Sequence, residues 1–285
     1  MYQRAKSFVL DTVGIVVTKR INTGAGGLAY YLTMTIFPLL ICLYTMLGTQ
    51  YKQAMSALGI IEHLMATETF KIMSDFLSYV AANNNRAMLF AALAVLVTSS
   101  SAAFRSFEVT VGDIQGSLQF RGFFGILFSI GFSLVFLAAI YVCILIMITG
   151  SWFIDLLQKL LPFAIIDTSW TWFRFFIFFG LIFFLIWALY KITVPRKQKY
   201  KVTVGALLAS IALVGVSIGF SVIIGASAKY PLVYGSLASI ILLMFWLYVS
   251  SYVLIMGEVI NIVIRDRKLR AIAQQAAQED KSAED

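Results

Sequence analysis

The feature that most constrains this chain is its last long apolar run, residues 234–264, which reads YGSLASIILLMFWLYVSSYVLIMGEVINIVI. About 20 apolar residues suffice for a helix to cross the hydrocarbon core of a bilayer, and this run is longer. It carries one acidic residue, Glu258, and one amide, Asn261, close to its end. Polar groups inside a membrane are energetically costly, so the run predicts a spanning helix that contains a polar site.

The composition extends this prediction to the whole chain. Hydrophobic residues make up 60% of the sequence and charged residues only 13%, whereas a soluble domain is about half apolar and about a quarter charged. The excess apolar surface needs lipid as its solvent. We therefore predict an all-α polytopic membrane protein, a bundle of about six transmembrane helices with amphipathic interfacial helices.

Six runs are long enough to approach or exceed the thickness of the bilayer. They are residues 26–47, 87–111, 123–148, 171–194, 202–226 and 234–264. Apolar residues also recur at helical spacing between residues 51 and 85, which predicts amphipathic helices on the outer face; a similar inner-face helix is predicted for the first twenty residues. The domain prediction is a single six-helix unit over residues 1–270, followed by a polar cytoplasmic tail, residues 271–285. We expect residues 274–285 to fray or be disordered.

The basic residues predict the orientation of the bundle. Placing both termini in the cytoplasm leaves only five of the 22 Lys and Arg residues on the opposite side: Lys52, Lys71, Arg86, Lys159 and Lys229. Basic residues are enriched on the cytoplasmic side of membrane proteins, so cytoplasmic N- and C-termini are predicted. The same placement explains the net charge of +8 without nucleic acid, and no nucleic-acid partner is predicted.

Polar residues share one face on each of three predicted spans. The candidate substrate-binding residues are Tyr31, Thr35, Arg105, Glu108, Glu258 and Asn261, and Pro38 is a candidate hinge because proline frees a backbone carbonyl within a helix. Given the direction of each span, these residues lie in the cytoplasmic third of the membrane. We expect them to form one cluster, in which Arg105 is neutralised by Glu108 or Glu258.

Two interpretations of this cluster stay open. Buried charges are normally paired, and such a pair often does no more than fix the packing of helices. Ionisable residues inside membranes are also frequently functional, which favours a site for an anionic headgroup or a carboxylate coupled to protons or ions. No catalytic motif and no metal-ligand spacing accompanies the cluster, so the sequence predicts no enzyme activity, no cofactor and no metal.

Three stretches resemble the YihY/BrkB family of bacterial membrane proteins. They are GLAYYLTMTIFPLLICL (residues 27–43), SSSAAFRSFEVTVGDIQG (99–116) and YGSLASIILLMFWLYVSSYVLIMGEVIN (234–261). The resemblance implies a six-span inner-membrane protein. Members have carried the label ribonuclease BN, which these residues do not support because they form no cytosolic acidic metal site. Lipid export or flipping and cation/proton exchange are the other activities that the resemblance implies.

Three functional hypotheses follow from these observations. The leading one is a transporter or flippase-like protein for an anionic amphipathic, lipid-type substrate, with Arg105 holding the headgroup and membrane lipids as its partners. The second is a cation/proton exchanger in which Glu258 is the titrating group. The third is a scaffold without transport activity, whose charges only pack helices together. A homo-oligomer is compatible with each.

Overall fold

The computed structural model describes residues 2–47, 86–116, 125–139, 166–195, 200–226 and 236–284, together with residues 70, 71, 74, 75, 78, 122, 123 and 198. Seven helices run through the six long ranges. They are α1 (Tyr2–Thr18), α2 (Ile21–Leu47), α3 (Arg86–Gln115), α4 (Gly125–Ala139), α5 (Ile166–Thr193), α6 (Thr203–Ala226) and α7 (Ser236–Glu284). This is the predicted all-α fold class of a polytopic membrane protein.

Four of these helices are long and apolar enough to cross a membrane. Their candidate spans are Ile21–Cys42, Ala87–Gln115, Thr203–Val222 and Ile240–Gln278, which coincide with the first, second, fifth and sixth predicted spans. The third and fourth predicted spans coincide with α4 and α5, where the apolar stretches found are shorter, Gly125–Ala139 and Phe178–Thr193. Most of the predicted outer amphipathic segment, residues 51–85, lies outside the described residues.

Helices α2 and α3 pack closely because small residues line their seam. A Cβ atom added to Gly24 would lie 2.4 Å from Cγ2 of Thr110, and one added to Gly27 would lie 3.2 Å from Oγ of Ser106. Farther along, the hydroxyl oxygens of Thr35 and Ser99 lie 3.0 Å apart, within hydrogen-bond distance. Glycine therefore sets the distance between the two helices, as small residues do in membrane bundles.

Helices α6 and α7 approach each other closely as well. A Cβ atom on Gly205 would lie 2.0 Å from the carbonyl oxygen of Gly257, so only glycine fits at that crossing. The main core of the bundle forms around this contact, with Ala206 and Val259 fully buried within it. The α6–α7 crossing positions the polar residues of α7 that the sequence singles out.

The structural predictions for the two ends of the chain have different outcomes. The first residues form the predicted helix, α1, and an ion pair of 2.9 Å between Arg267 and Asp11 joins it to α7. The prediction that the polar tail frays or is disordered is wrong, because α7 continues as a helix to Glu284. Alanine, glutamine and glutamate favour helices, and an existing helix extends without a new nucleation step.

Candidate functional site

The polar site on α7 is a fully buried carboxylate held by hydrogen bonds. Glu258 is 0% exposed. Its Oε1 accepts a hydrogen bond of 2.5 Å from the Tyr200 hydroxyl, and its Oε2 accepts one of 2.8 Å from Asn261 Nδ2. The Tyr200 oxygen in turn accepts a hydrogen bond of 2.8 Å from Gln115 Nε2. We call Gln115, Tyr200, Glu258 and Asn261 the Glu258 network.

Asn261 connects this network to the beginning of α6. Its Oδ1 accepts a hydrogen bond of 2.7 Å from the Gly205 N–H, and its Nδ2 donates one of 3.2 Å to the Val202 carbonyl. The first N–H groups of a helix have no partner within that helix, and a side-chain oxygen usually satisfies one of them. Here the satisfying oxygen comes from another helix, so Asn261 caps α6 and fixes α7 against it.

Tyr200 lies in the segment between α5 and α6, outside the candidate spans. Burial of its phenol, and then the nearby Glu258 carboxylate, raise the pKa of Tyr200 above its ordinary value. Tyr200 therefore keeps its proton across the physiological range and acts as a donor to Glu258. The network joins α3, the α5–α6 connection and α7 in one chain of hydrogen bonds.

Arg265 lies seven residues after Glu258 on α7, next to the Tyr200 ring. Its guanidinium lies 5.2 Å from the centre of the Tyr200 ring, a distance typical of a cation–π contact. It also donates hydrogen bonds to Asp266, at 2.8 Å, and to Gln198. The basic residue near the buried Glu258 is therefore Arg265, and not Arg105 as the sequence predicted.

Gly257 lets α7 approach the neighbouring helices beside Glu258. A Cβ atom there would lie 2.3 Å from the Tyr190 hydroxyl and 2.7 Å from Cβ of Ala209. The Tyr190 hydroxyl itself donates a hydrogen bond of 2.6 Å to the Leu254 carbonyl. The sequence GEVIN thus combines a glycine for close approach, a buried carboxylate and an amide that caps the adjacent helix.

Arg105, the predicted partner of Glu258, is not part of the Glu258 network. Arg105 is part-exposed on α3, and among the described residues it forms no ion pair with Glu108 or Glu258. Phe107, two residues later, is the α3 residue that stacks on Tyr190, with ring centres 6.0 Å apart. Successive residues of a helix are rotated by about 100°, so Arg105 and Phe107 point about 160° apart. Neither of the ion pairs found among the described residues contains Arg105, so its predicted neutralisation by Glu108 or Glu258 is wrong.

The other predicted site residues occupy the α2–α3 region. Glu108 is buried on α3. Thr35 is buried on α2, and besides its bond to Ser99 it donates one of 2.7 Å to the Tyr31 carbonyl. Tyr31 is half-buried, and α2 continues as a helix through Pro38 to Leu47. The structure therefore brings Glu258 and Asn261 together, and it places Thr35 of α2 against Ser99 of α3.

The comparison with protein-family models decides where this chain belongs. The model described as "Virulence factor BrkB" matches residues 14–282. The chain belongs to the BrkB virulence-factor family. The comparisons with curated proteins and with solved structures gave no match. The family predicted from the three sequence motifs is confirmed, and the Glu258 network lies within the matched range.

This BrkB-family chain has a large apolar groove between α4 and α5. Its volume is about 880 Å³. Its described lining is entirely apolar: Leu127, Phe128, Gly131, Phe132, Val135, Phe136, Ala139, Phe184, Leu185, Ala188 and Ile192. We call it the α4–α5 groove. A groove with such walls offers no partner to an ion or a sugar, but it suits a hydrocarbon chain.

A smaller cavity of about 210 Å³ lies deeper in the bundle. Phe132 and Phe136 line both it and the α4–α5 groove, so the two spaces share a wall. The remaining lining comes mainly from apolar residues of α2, α3 and α7, and the hydroxyl residues Thr35, Ser100 and Ser133 add polar atoms. Of the predicted site residues, Thr35 therefore lines an internal space.

Sequence reasoning missed several members of the Glu258 network. Neither Tyr200 nor Gln115 is among the residues that the sequence singles out. A signal was present, because Glu258 needs hydrogen-bond donors and Tyr200 is an aromatic donor in the connection that precedes α6. What the sequence lacks is the distance between the two residues, which depends on how α6 and α7 cross.

Proposed function

We propose that this chain handles lipid within the membrane, as a transporter or flippase-like protein for an anionic amphipathic molecule. The single observation that carries the proposal is the α4–α5 groove, an apolar volume of about 880 Å³ on a membrane protein. Its size and walls suit acyl chains, which a bilayer supplies at high concentration. The adjoining cavity extends the same apolar surface toward the centre of the bundle.

Arg105 is the residue we propose for contact with the anionic headgroup. It follows Phe104, whose ring centre lies 4.4 Å from that of the groove residue Phe132. Because Arg105 is part-exposed and not paired with either glutamate, its charge is available to an anion. In this proposal the groove holds the acyl chains and Arg105 discriminates between headgroups.

The experiment follows labelled lipid across vesicles that contain the purified protein. Gly131→Trp fills the groove from within, since an added Cβ at Gly131 meets no atom within 4 Å. Gly215→Trp is the matched control, because Gly215 is equally unobstructed, exposed on α6 and outside the groove lining. We expect wild type and Gly215→Trp to accelerate lipid movement and Gly131→Trp to fall to the rate of empty vesicles. Equal rates for all three proteins would refute the proposal.

A second pair of measurements tests the headgroup assignment. Arg105→Gln removes the charge and keeps a shorter polar side chain. We expect it to slow labelled phosphatidylglycerol, which is anionic, and to leave labelled phosphatidylcholine unchanged. If both lipids slow equally, Arg105 acts on the fold and not on the headgroup.

Glu258 supports a second candidate function, cation/proton exchange, because it is a fully buried carboxyl group within a candidate span. This candidate predicts that Na⁺ or K⁺ dissipates a pH gradient across protein-containing vesicles and that Glu258→Gln abolishes the effect. The hydrogen bonds from Tyr200 and Asn261 favour a structural role for Glu258 over ion exchange. A gradient that persists on addition of either cation would eliminate the exchanger.

A further inference from the structure

A polar pocket lies where α1 turns into α2. Its volume is about 470 Å³, and its lining contains two cations, three hydroxyl groups and one carboxylate. The residues are Thr18, Lys19, Arg20, Thr23, Gly24, Thr110 and Asp113. We call it the Arg20 pocket. Every one of these residues lies on α1, α2, α3 or the turn between α1 and α2, so the pocket is separate from the α4–α5 groove.

The walls of the Arg20 pocket are fixed by the backbone. Arg20 has a φ of 49°, in the left-handed region, which turns the chain sharply between the two helices. Lys19 Nζ donates a hydrogen bond of 2.8 Å to the Asp113 carbonyl and so ties the turn to the end of α3. The contact between Gly24 and Thr110 closes the pocket from the side of the bundle.

The pocket lies at the boundary between membrane and water. The candidate span of α2 begins at Ile21, directly after Arg20, and that of α3 ends at Gln115, two residues after Asp113. The distribution of basic residues predicts that this boundary is the cytoplasmic one. Anionic phosphate groups of phospholipids occupy this level of a bilayer, where Lys and Arg bind them favourably.

An independent feature of α1 indicates that lipid reaches the pocket. Leu10, Val13 and Val17 are 61%, 50% and 74% exposed. Their spacing places them on one face of α1, while Ile15 and Val16 pack against the core. An exposed apolar stripe on a helix at the membrane boundary is typical of an interfacial helix that lies among acyl chains. The stripe ends one residue before the lining of the Arg20 pocket begins.

We propose that the Arg20 pocket binds the phosphate headgroup of an anionic phospholipid from the leaflet in which α1 lies. Arg20 and Lys19 supply the positive charge and charged donors, and the apolar stripe contacts the acyl chains. The hydroxyls of Thr18 and Thr110 already donate to the carbonyls of Gly14 and Ser106, so Thr23 supplies the neutral donor. Asp113 opposes the anion, which leaves the pocket with a single net positive charge. The site would anchor one lipid beside α1, and it does not depend on transport through the α4–α5 groove.

Native mass spectrometry of the full chain in detergent tests this site, with phosphatidylglycerol and phosphatidylcholine as probes. Arg20→Gly removes the charge and retains the turn, because glycine adopts positive φ without strain. The matched control is Arg270→Gly, an exposed position beyond the pocket on α7. We expect wild type and the control to retain one phosphatidylglycerol in preference to phosphatidylcholine, and Arg20→Gly to lose that preference.

Asp113→Asn provides a test of opposite sign. Removing the opposing carboxylate should strengthen retention of phosphatidylglycerol, a result that damage to the fold would not produce. Inorganic phosphate added at millimolar concentration distinguishes the sources of the anion: we expect little displacement of the lipid, and full displacement would indicate a site for free phosphate. Equal retention by wild type, Arg20→Gly and Asp113→Asn would overturn the proposal.

Discussion

The amide oxygen of Asn261 accepts a hydrogen bond of 2.7 Å from the Gly205 N–H, which makes a side chain of α7 the cap of α6. The same amide donates to Glu258 at 2.8 Å, so a single residue links the buried carboxylate to the beginning of another helix. The two helices can approach this closely only because Gly205 and Gly257 face each other. The polar residues near the end of α7 therefore act first on the geometry of the bundle.

Asn261→Asp tests the capping role. The substitution keeps the shape and the acceptor for Gly205, but it removes both hydrogen bonds that Nδ2 donates and adds a second acid beside Glu258. An unsatisfied buried group costs about 1–3 kcal/mol, and we expect a loss of unfolding free energy of at least that order. Thermal unfolding in detergent measures it. Asn22→Asp, at an exposed position in the first turn of α2, should change stability little; equal melting temperatures for the two variants would contradict the role.

Gly257→Ala and Gly215→Ala test the close approach of α6 and α7. The first adds a methyl group 2.3 Å from the Tyr190 hydroxyl and 2.8 Å from the Gly205 carbonyl, so the helices must separate. The second adds the same group in open space, where alanine is favoured over glycine by up to about 1 kcal/mol in a helix. We expect a lower melting temperature for Gly257→Ala and an equal or higher one for Gly215→Ala. A higher melting temperature for both variants would show that α6 and α7 are farther apart at this crossing than in the structure.

Tyr200→Phe tests the donor to Glu258 and its dependence on pH. Because burial and Glu258 raise the pKa of Tyr200 in the folded protein, the folded state favours the protonated phenol. Its contribution is complete below the unfolded pKa of about 10 and is lost as the pH rises above that value. We expect Tyr200→Phe to be less stable than wild type at pH 7 and the difference to shrink above pH 10.

Melting temperatures between pH 7 and 11 measure this difference, with Tyr30→Phe as the control. Tyr30 is an exposed tyrosine on α2 outside the Glu258 network, so its replacement should leave the melting temperature at pH 7 close to that of wild type. If the difference in melting temperature between wild type and Tyr200→Phe grows above pH 10, the prediction is contradicted. A phenol that stays protonated in the folded protein requires this difference to shrink.

Periodicity within one run of sequence predicted the face that carries the site. Glu258 and Asn261 are three residues apart, which places them on one side of a helix, and both are buried on that side. The apolar length of the run predicted the spanning helix that carries them. These properties depend on neighbours along the chain, so the sequence was sufficient.

The partners of Glu258 depend on contacts between distant parts of the chain. Arg105 was predicted to reach a glutamate because both were placed at the same depth, but depth does not specify how a helix is rotated about its axis. In the structure Phe107 contacts the core, and Arg105 therefore points away from it. Tyr200 reaches Glu258 from a connection 58 residues away along the chain, a contact that periodicity cannot indicate.

We propose above that acyl chains occupy the α4–α5 groove. The most direct measurement is cross-linking in vesicles with a phospholipid whose acyl chain carries a photoactivatable group, followed by mapping of the modified peptides. We predict adducts concentrated on α4 and α5 and lost in Gly131→Trp. Adducts that are no denser there than on the exposed outer face of α6, or that persist in Gly131→Trp, would contradict the claim.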